Sequence, residues 1–512
     1  MLRRLSVIGG WTLVSRLFGF LRDLVMASVL GAGPLADAFL IAFRLPNHFR
    51  AIVAEGAFNA AFVPTYAATL ERDGEARARA FRSQMLSWLM LVNIVLLALA
   101  LVATGWLVFL LAPGLGQGTG GVRDLAIDLT RITFPYLLCM SVVTLMSGVL
   151  NAERKFAAAA AAPVLLNVAM IAAFFSAQWF PDAAHAAAWG TLAGGVLQVI
   201  LLTAAVARAG LGFCLPLPRR DGEVALFFKR LGPALLTAGV VQVAVFADTI
   251  LASFLPTGAL AHLAYADRLY QLPLGVIGIA LGTAILPEIG RDAGVGAEGK
   301  ARGVMDRGLR ICLIIGLPIA LAMAFLGEEA IRVLFQRGAF DAAATAGSAA
   351  VLAAYAVALP AALAIRTLVA AFNGRGDMTT PLKALAGATV VNVALKALLS
   401  PDHGAAGLAM GTSAGVWIYA VTLYVLCRRR GYVSPFALGD KVLVPVAAAS
   451  MALVLWRMPG LLAPLDGLLR LMPALAAGLV WLALAAALSF GAYALVLGGG
   501  LLVVRRLFRP RR

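Results

Sequence analysis

Long apolar segments, separated by short stretches rich in charged residues, glycine or proline, follow one another along almost the whole chain. Most segments reach the length of about 20 residues that an α-helix needs to cross a bilayer. The pattern therefore predicts fourteen transmembrane helices. Their predicted bounds are 5–31, 34–68, 83–112, 124–150, 157–180, 184–208, 226–255, 259–288, 308–327, 344–372, 379–400, 404–427, 441–458 and 472–504.

The composition agrees with a polytopic membrane protein. Hydrophobic residues make up 62% of the chain and charged residues 13%, with a mean hydropathy of +0.92, which excludes an ordinary soluble protein. The four cysteines and four histidines are scattered without ligand spacing, so we predict no disulfide framework, metal site or cofactor. No GxxxxGK[ST] nucleotide loop occurs, which leaves the membrane potential or a gradient of Na⁺ or H⁺ as the driving force.

The positive charge follows the predicted topology. Of the 42 Lys and Arg residues, 29 lie on one side of the membrane, in alternate loops and the two termini, including the loop at 71–82, and five lie on the other side. The side with more cations is expected to be cytoplasmic, so both termini are predicted there. The net charge of +17 then matches an anionic lipid leaflet, and no nucleic-acid partner is predicted.

An internal similarity predicts two lobes. ASVLGAGPLA at 27–36 and ASFLPTGALA at 252–261 match across a shift of 225 residues and lie six predicted spans apart. An even number of spans gives two copies of the same orientation, as in transporters with parallel repeats; chance similarity of Ala/Leu-rich helices is the alternative. We predict an all-α fold of two pseudo-symmetric six-helix lobes, 1–215 and 216–430, around a central cavity, with two further helices and a basic cytoplasmic tail in 431–512.

Four arginines interrupt the first two apolar segments, Arg16 and Arg22 in the first and Arg44 and Arg50 in the second. Each costs about 2.5–3.5 kcal/mol at a bilayer centre on insertion scales, and such cations normally face a bundle interior or a wet cavity. Pro46 is predicted to break the second segment, which is tolerated where protein or water covers the freed backbone. The cluster indicates a cavity that receives an anionic ligand.

Residue spacing separates the arginines that have an acidic partner on their own helix from those that have none. Arg16 and Asp23 are seven residues apart, as are Asp37 and Arg44, so each pair is predicted to share a helix face and to compensate its charges. Arg22 and Arg50 have no such acidic partner at close spacing in their own helices. We therefore predict that these two are the freer cations and are better suited to bind an anion.

Several segments together resemble one known family. They are SRLFGFLRD (15–23), GAGPLADAF (31–39), FRLPNHFR (43–50), AEGAFNAAFVP (54–64), NAERKF (151–156) and YADRLYQLPLGVIGIALGTAILP (265–287). The chain closely resembles the MurJ/MviN family of lipid II flippases, in the multidrug/oligosaccharidyl-lipid/polysaccharide exporter superfamily. The resemblance implies a transporter, not an enzyme, in the bacterial inner membrane. It would move the undecaprenyl-pyrophosphate-linked peptidoglycan precursor from the cytoplasmic to the periplasmic leaflet by alternating access, with other cell wall synthesis proteins as expected partners.

The resemblance also implies a set of site residues. Substrate-binding roles fall on Arg16, Arg22, Asp37, Arg50 and Arg268, and less directly on Ser15, Asn47 and Glu55. Arginine suits a diphosphate because its planar fork contacts two oxygens at once and stays charged when desolvated. A candidate cation site consists of Asp248, Asn373 and Asp377; the alternative is that Asp248 bonds within the bundle and that NGRGD at 373–377 is a cytoplasmic turn. Gln271 stands where some members carry an acid.

Two other functions are alternatives to a lipid II flippase. A flippase of another lipid-linked oligosaccharide, or a drug or cation antiporter of the same superfamily, would share the twelve-helix core but would not be expected to carry the arginine block. An integral membrane enzyme acting on the lipid carrier would need a catalytic base or clustered metal-binding acids. The chain has no DDxxD or HExxH motif, which disfavours the enzyme.

Overall fold

The computed structural model describes residues 2–49, 57–115, 121–294, 298–435, 438–465, 469 and 472–507. Throughout these ranges the chain forms helices and the turns that join them, without a β-strand. The predicted all-α fold class is therefore confirmed. The α-helices are α1 Leu2–Leu30, α2 Pro34–Phe49, α3 Asn59–Val102, α4 Thr104–Leu111, α5 Val122–Thr133, α6 Pro135–Ala152, α7 Phe156–Phe175, α8 Ala183–Arg208, α9 Gly222–Ala252, α10 Ala259–Gly294, α11 Glu298–Phe335, α12 Ala342–Ala356, α13 Leu359–Asn373, α14 Thr379–Arg429, α15 Leu438–Leu462 and α16 Ala474–Leu507.

Length and hydropathy identify the helices that can cross a membrane. In the described ranges there are eight such spans, and the pair α12 and α13, bent by 41°, gives a ninth. The predicted number of fourteen is not confirmed. One reason is that α3 and α14 each continue through a glycine with non-helical backbone, Gly74 (φ 77°) and Gly404 (φ 56°). As a result, α14 contains the two predicted spans 379–400 and 404–427.

The chain forms two compact units. The first comprises Met1–Ala261 and Arg337–Phe340, and the second comprises His262–Gln336 and Asp341–Arg512. In the first unit, α7 packs against α1 and α8, and α3 packs against α6 and α9. In the second unit, α11 packs against α12, α13 and α15, while α15 packs against α16. Because α9 packs on α3, the first unit extends past residue 215. The division into lobes at 1–215, 216–430 and 431–512 stays a prediction.

Aromatic side chains form the centre of the first unit. Phe58, Phe62 and Tyr66 follow one another at a spacing of four residues, which puts them on one helix face. The ring of Phe62 is stacked on the rings of Phe58, Tyr66 and Phe81, with centroid distances of 5.2, 5.5 and 5.7 Å. Phe227 of α9 meets Phe58 edge-on at 5.3 Å. The beginning of α9 is thus fixed to α3 by apolar packing.

A buried arginine lies beside this aromatic cluster. The charge pattern predicts that Arg82 lies in a cytoplasmic loop at 71–82, but this stretch is helical apart from Gly74, and Arg82 is fully buried. Its guanidinium donates to Tyr66 Oη at 3.1 Å, to Glu75 Oε1 at 2.9 Å and to the carbonyl of Gly212 at 3.1 Å. Arg82 therefore joins both arms of α3 to the chain that follows α8, because only hydrogen-bonded and paired charges are tolerated in such a site.

The last two helices are attached to the second unit by a regular apolar stripe. Ala447, Met451 and Leu455 of α15 recur every four residues and pack with Ala485 and Tyr493 of α16. Leu326 of α11 belongs to the same cluster. Helices α15 and α16 therefore form a pair that packs against α11.

Turns with the same hydrogen bonds recur in both units. After α6, the N–H groups of Arg154 and Lys155 donate to the carbonyls of Asn151 and Leu150. After α13, those of Gly376 and Asp377 donate to Asn373 and Phe372, a shift of 222 residues. Both are Schellman turns, with positive φ at Arg154 in the first and at Gly376 in the second. GTLAG at 190–194 and GTSAG at 411–415 repeat at a shift of 221. These local matches support the predicted repeat.

Replacement of Arg82 by alanine is expected to lower the thermal stability of the protein. Tyr66 Oη and the Gly212 carbonyl would lose their buried donor, and such an unsatisfied group costs about 1–3 kcal/mol. The measurement is the unfolding temperature of the purified protein in detergent, with Arg79→Ala as the control, because Arg79 is exposed in the same helix. Equal unfolding temperatures for the two variants would contradict a stabilising role for Arg82.

Candidate functional site

Arg22 lies in a polar cluster between α1 and α7. Only 8% of the residue is exposed. Its Nη2 is 2.7 Å from Asp23 Oδ1, and its Nη1 donates to Asn167 Oδ1 at 3.0 Å. Asn167 in turn donates from Nδ2 to the carbonyl of Ser15 at 3.2 Å. The prediction that Arg22 lacks an acidic partner was wrong, because the adjacent Asp23 turns towards the same interior cluster as Arg22.

The other predicted binding residues of the first two helices lie in different surroundings. Arg16 is exposed on α1, and Asn47 is half-buried on α2. Arg50 and Glu55 lie outside the described residues. Within the described part, the structure thus brings together Arg22 and the backbone of Ser15, and the sequence missed Asn167. A single amide in the apolar run PVLLNVAM at 163–170 was the available signal.

Asp37 accepts hydrogen bonds from backbone N–H groups at the beginning of α10, in residues that belong to the first unit. Its Oδ2 accepts the N–H of Gly258 at 2.6 Å and its Oδ1 accepts that of Ala261 at 2.9 Å. The residue is only 4% exposed. A carboxylate is favoured here because the first N–H groups of a helix lack partners within that helix. The predicted pairing with Arg44 did not include these backbone contacts. Asp37 also lines a cavity of about 240 Å³ together with Gly114, Ser253 and Pro256.

Polar side chains join α2 to α9 at two further levels. Arg44 Nη1 donates to Thr249 Oγ1 at 3.0 Å. One turn later, His48 Nδ1 lies 2.9 Å from Gln242 Oε1, and the His48 ring is 4.7 Å from that of Phe246. We call these contacts the α2–α9 seam. Both are contacts between side chains, one made by a guanidinium and one by an imidazole.

The predicted break at Pro46 does not occur, because α2 continues to Phe49. Proline has no N–H, so the carbonyl of Ala42, four residues earlier, loses its usual partner. The hydroxyl of Thr133 donates to that carbonyl at 2.8 Å, from the end of α5. A side chain of a neighbouring helix thus replaces the missing backbone hydrogen bond and keeps α2 helical through the motif FRLPNHFR.

The turn after α1 makes direct backbone contact with residues 337–340. The N–H of Ala339 donates to the carbonyl of Ser28 at 2.8 Å. A Cβ on Gly31 would lie 2.4 Å from the Ala339 oxygen, and one on Gly338 would lie 2.2 Å from the Ser28 oxygen. Both glycines have positive φ, +65° and +58°. Two segments of backbone can approach this closely only where each has a glycine at the contact.

The second unit contains Arg268, Asn373 and Asp377. Arg268 is exposed, and the amide of Gln271 donates to Asp267 Oδ1 at 3.3 Å. Asn373 is also exposed. Asp377 accepts hydrogen bonds from Arg430, from the hydroxyls of Thr379 and Thr380 and from the N–H of Thr380. The Arg430 guanidinium holds the pKa of Asp377 well below its usual range. These hydrogen bonds agree with the alternative that NGRGD at 373–377 forms a turn. Asp248 is half-buried in α9, and the cation site that includes it stays a prediction.

Comparisons with known proteins give a consistent result. A sequence model of the family described as lipid II flippase MurJ matches residues 26–496. The probable lipid II flippase MurJ of Rhizobium tropici is 40% identical over 441 residues, which are 84% of this chain and 82% of that protein. The lipid II flippase MurJ of Burkholderia cenocepacia is 34% identical over 459 residues, 88% of this chain and 89% of that protein.

Solved structures agree at the level of the fold. A structure described as lipid II flippase MurJ in an inward closed conformation has a TM-score of 0.78 at 22% identity, covering 98% of this chain and 99% of that one. An inward-facing multidrug resistance MATE family transporter of the MOP superfamily has a TM-score of 0.69 at 18% identity, covering 81% and 94%. At these identities the likeness shows the fold alone.

The Thr133 hydroxyl is expected to stabilise the protein only while residue 46 is proline. Thr133→Val removes the donor to the Ala42 carbonyl and should lower the free energy of unfolding by about 1–3 kcal/mol. In a Pro46→Ala background a backbone N–H is restored, so the same change should cost much less. The unfolding temperatures of the two single variants and the double variant measure this coupling.

Thr191→Val is the matched control, because the buried Thr191 hydroxyl donates only to the carbonyl of Ala187 in its own helix. An equal effect of Thr133→Val with and without Pro46 would contradict the compensation.

Proposed function

This chain belongs to the MurJ family of lipid II flippases, and we propose that it binds the diphosphate of lipid II with Arg16, Arg22, Arg50 and Arg268. The protein is a multi-pass membrane transporter and not an enzyme. It moves a lipid-linked precursor of peptidoglycan across the bilayer. We propose that the same site also includes supporting residues from the same sequence motifs, namely Asp37, Ser15, Asn47 and Glu55.

The observation that carries the proposed site is the buried Arg22. Its guanidinium has five N–H donors in a fixed plane, and Asp23 and Asn167 engage part of that fork. Asp23 neutralises the charge while no substrate is bound, and a phosphate oxygen would take over hydrogen bonds that Asp23, Asn167 and, weakly, Met170 Sδ now accept. A diphosphate, with more than one negative charge, would compete well for such a cation.

Arg16 supports the proposal through its exposure. It lies six residues before Arg22 on α1 and is exposed, and an exposed cation in contact with lipid tails would be very unfavourable. A wet surface along α1 removes that cost. We therefore propose that Arg16 meets the charged head of the substrate on the water-filled side of α1, and that Arg22 binds it more deeply.

The contacts of Asp37 and of the two glycines support a closed gate. Asp37 fixes the first turn of α10, while Gly31 and Gly338 allow residues 337–340 to lie against α1. Given the proposed cytoplasmic termini, the end of α1 at Leu30 faces the periplasm. We propose that these contacts close the periplasmic side and that they break when the substrate is released there.

The remaining parts of the cycle are also proposals. The charge distribution along the chain supports a place in the bacterial inner membrane with both termini in the cytoplasm. The membrane potential, or a gradient of Na⁺ or H⁺, would drive the return of the empty protein, with Asp248, Asn373 and Asp377 as the candidate cation site. Other proteins of cell wall synthesis are proposed partners, since the precursor is made and used at this membrane.

Replacement of Arg22 by alanine is expected to weaken lipid II binding. The loss of charged hydrogen bonds, about 1.5–3 kcal/mol, corresponds to roughly 10- to 150-fold in Kd. Binding is measured with the purified protein in nanodiscs, and function by growth after depletion of the native copy together with an assay of the leaflet that holds lipid II. Arg22→Lys should restore little, because an ammonium lacks the planar fork.

Arg131→Ala is the control, because Arg131 is exposed and pairs only weakly with Asp128 on its own helix. Normal binding and normal growth with Arg22→Ala would contradict the proposed site. A purified protein that changed lipid II chemically, without moving it, would contradict the proposed function itself.

Replacement of Gly31 by alanine is expected to open the proposed gate. The new Cβ would lie 2.4 Å from the Ala339 oxygen, whereas a Cβ on Gly33, in the same turn, would meet nothing within 4 Å. Cysteines are placed at Ser28 and Ala339 in a background without the native cysteines. Their crosslinking yield with a short bis-maleimide should fall in Gly31→Ala and stay unchanged in Gly33→Ala. Equal yields in both would rule out this contact as the gate.

A further inference from the structure

His48 is a buried imidazole whose two nitrogens have different surroundings. The residue is 5% exposed and lies in α2 within the motif FRLPNHFR. Nδ1 is 2.9 Å from Gln242 Oε1. Nε2 is buried and, in the part of the chain that the structure describes, has no hydrogen-bond partner. A buried polar atom without a partner costs about 1–3 kcal/mol. We therefore expect Nε2 to form a hydrogen bond in another state of the protein.

The contact with Gln242 determines which nitrogen is available. A carbonyl oxygen only accepts hydrogen bonds, so Nδ1 carries the ring proton and donates it to Gln242 Oε1. Nε2 is then left with a free lone pair. An imidazole held in this way at one nitrogen presents the other to a proton or a ligand in a fixed direction. The ring is further fixed by Phe246, at a centroid distance of 4.7 Å.

Burial, and then a neighbouring cation, make a proton on the ring unfavourable in the closed seam. Arg44, one turn earlier on α2, is the charge that acts on the ring. Two cations at this spacing would repel each other in a poorly hydrated seam. Between 135 and 151 on α6 and between 186 and 207 on α8, no charged residue occurs to offset them. Apart from Arg44 and His48, the ionisable side chains of α2, α5, α6, α8 and α9 are Asp37, Arg123, Asp124, Asp128, Arg131, Tyr136, Cys139, His185, Arg208, Glu223, Lys229, Arg230 and Asp248.

An anionic substrate reverses this balance. Asp37 on the same helix already acts electrostatically on Arg44. A diphosphate close to Arg44 and His48 would add further negative charge and would favour a second cation beside Arg44. The Nε2 lone pair could then take a proton from water and donate it in a charge-assisted hydrogen bond to a phosphate oxygen. Because Nε2 is buried while Gln242 and Phe246 contact the ring, the substrate would reach it only when α9 moves away from α2.

We propose that His48 is a further substrate-binding residue that takes up one proton together with the diphosphate of lipid II. This inference rests on the proposed function and adds a residue that the family resemblance does not assign. Its consequence is a link between pH and affinity. With one linked proton, the Kd for lipid II should fall as the pH falls, by at most about tenfold per pH unit.

The experiment measures the Kd for lipid II between pH 6 and pH 8, using the full chain in nanodiscs of phosphatidylcholine. The wild-type protein should bind more tightly at pH 6. His48→Gln keeps a polar group near Gln242 without a titratable ring, and His48→Phe keeps a ring against Phe246. Both should lose the dependence on pH between these limits. His185→Gln is the control, because His185 lies at the beginning of α8 and pairs with Asp182.

The outcomes separate this inference from the proposed function. Loss of the pH dependence in both His48 variants, with His185→Gln like the wild type, supports the inference. The same pH dependence in the wild type and in both His48 variants, or its loss in His185→Gln as well, would overturn it. No binding of lipid II by the wild type at any pH would instead overturn the proposed function. Competition by inorganic pyrophosphate shows whether a free diphosphate occupies the same site.

Discussion

The whole structure depends on one constraint, that polar groups in spanning helices must find partners inside the protein. Water is absent from the hydrocarbon region, so an unpaired carbonyl or cation there is very unfavourable. Arg22 meets this constraint through Asp23 and Asn167, and the Ala42 carbonyl meets it through Thr133. The bond of Arg22 with Asn167 and that of Thr133 with Ala42 each join helices that are far apart in the chain. The polar residues that a transporter needs for its substrate therefore also determine which helices pack together.

The sequence was sufficient for the properties that repeat along the chain. Apolar segments of spanning length predicted the all-α fold, which the structure confirms, whereas the anion site predicted from the arginine block stays a prediction. The number of spans was not predictable in the same way, because a helix bends or continues according to single residues. Gly74 and Gly404 adopt non-helical backbone inside long helices, whereas Pro46 does not end α2. Hydropathy alone does not distinguish these cases.

The partners within the candidate site were the least predictable feature. Spacing on an ideal helix paired Arg16 with Asp23, but Asn167, 145 residues away, accepts a hydrogen bond from Arg22 and the same arginine turns to Asp23. Rules of spacing compare residues of one helix, and they contain no information about a neighbouring helix. Arg82 shows the same limit, since its charged loop motif suggested solvent while its tertiary contacts bury it.

The contacts between α2 and α9 connect this packing to transport. Arg44 and His48 contact Thr249 and Gln242 of α9, which are neutral groups, while Asp37 on the same helix acts electrostatically on Arg44. These two contacts between α2 and α9 are therefore hydrogen bonds and not ion pairs. A diphosphate close to Arg44 would add negative charge on α2 and would compete with the hydroxyl and the amide for these side chains. Substrate binding would then weaken the seam itself, which is the coupling that alternating access requires.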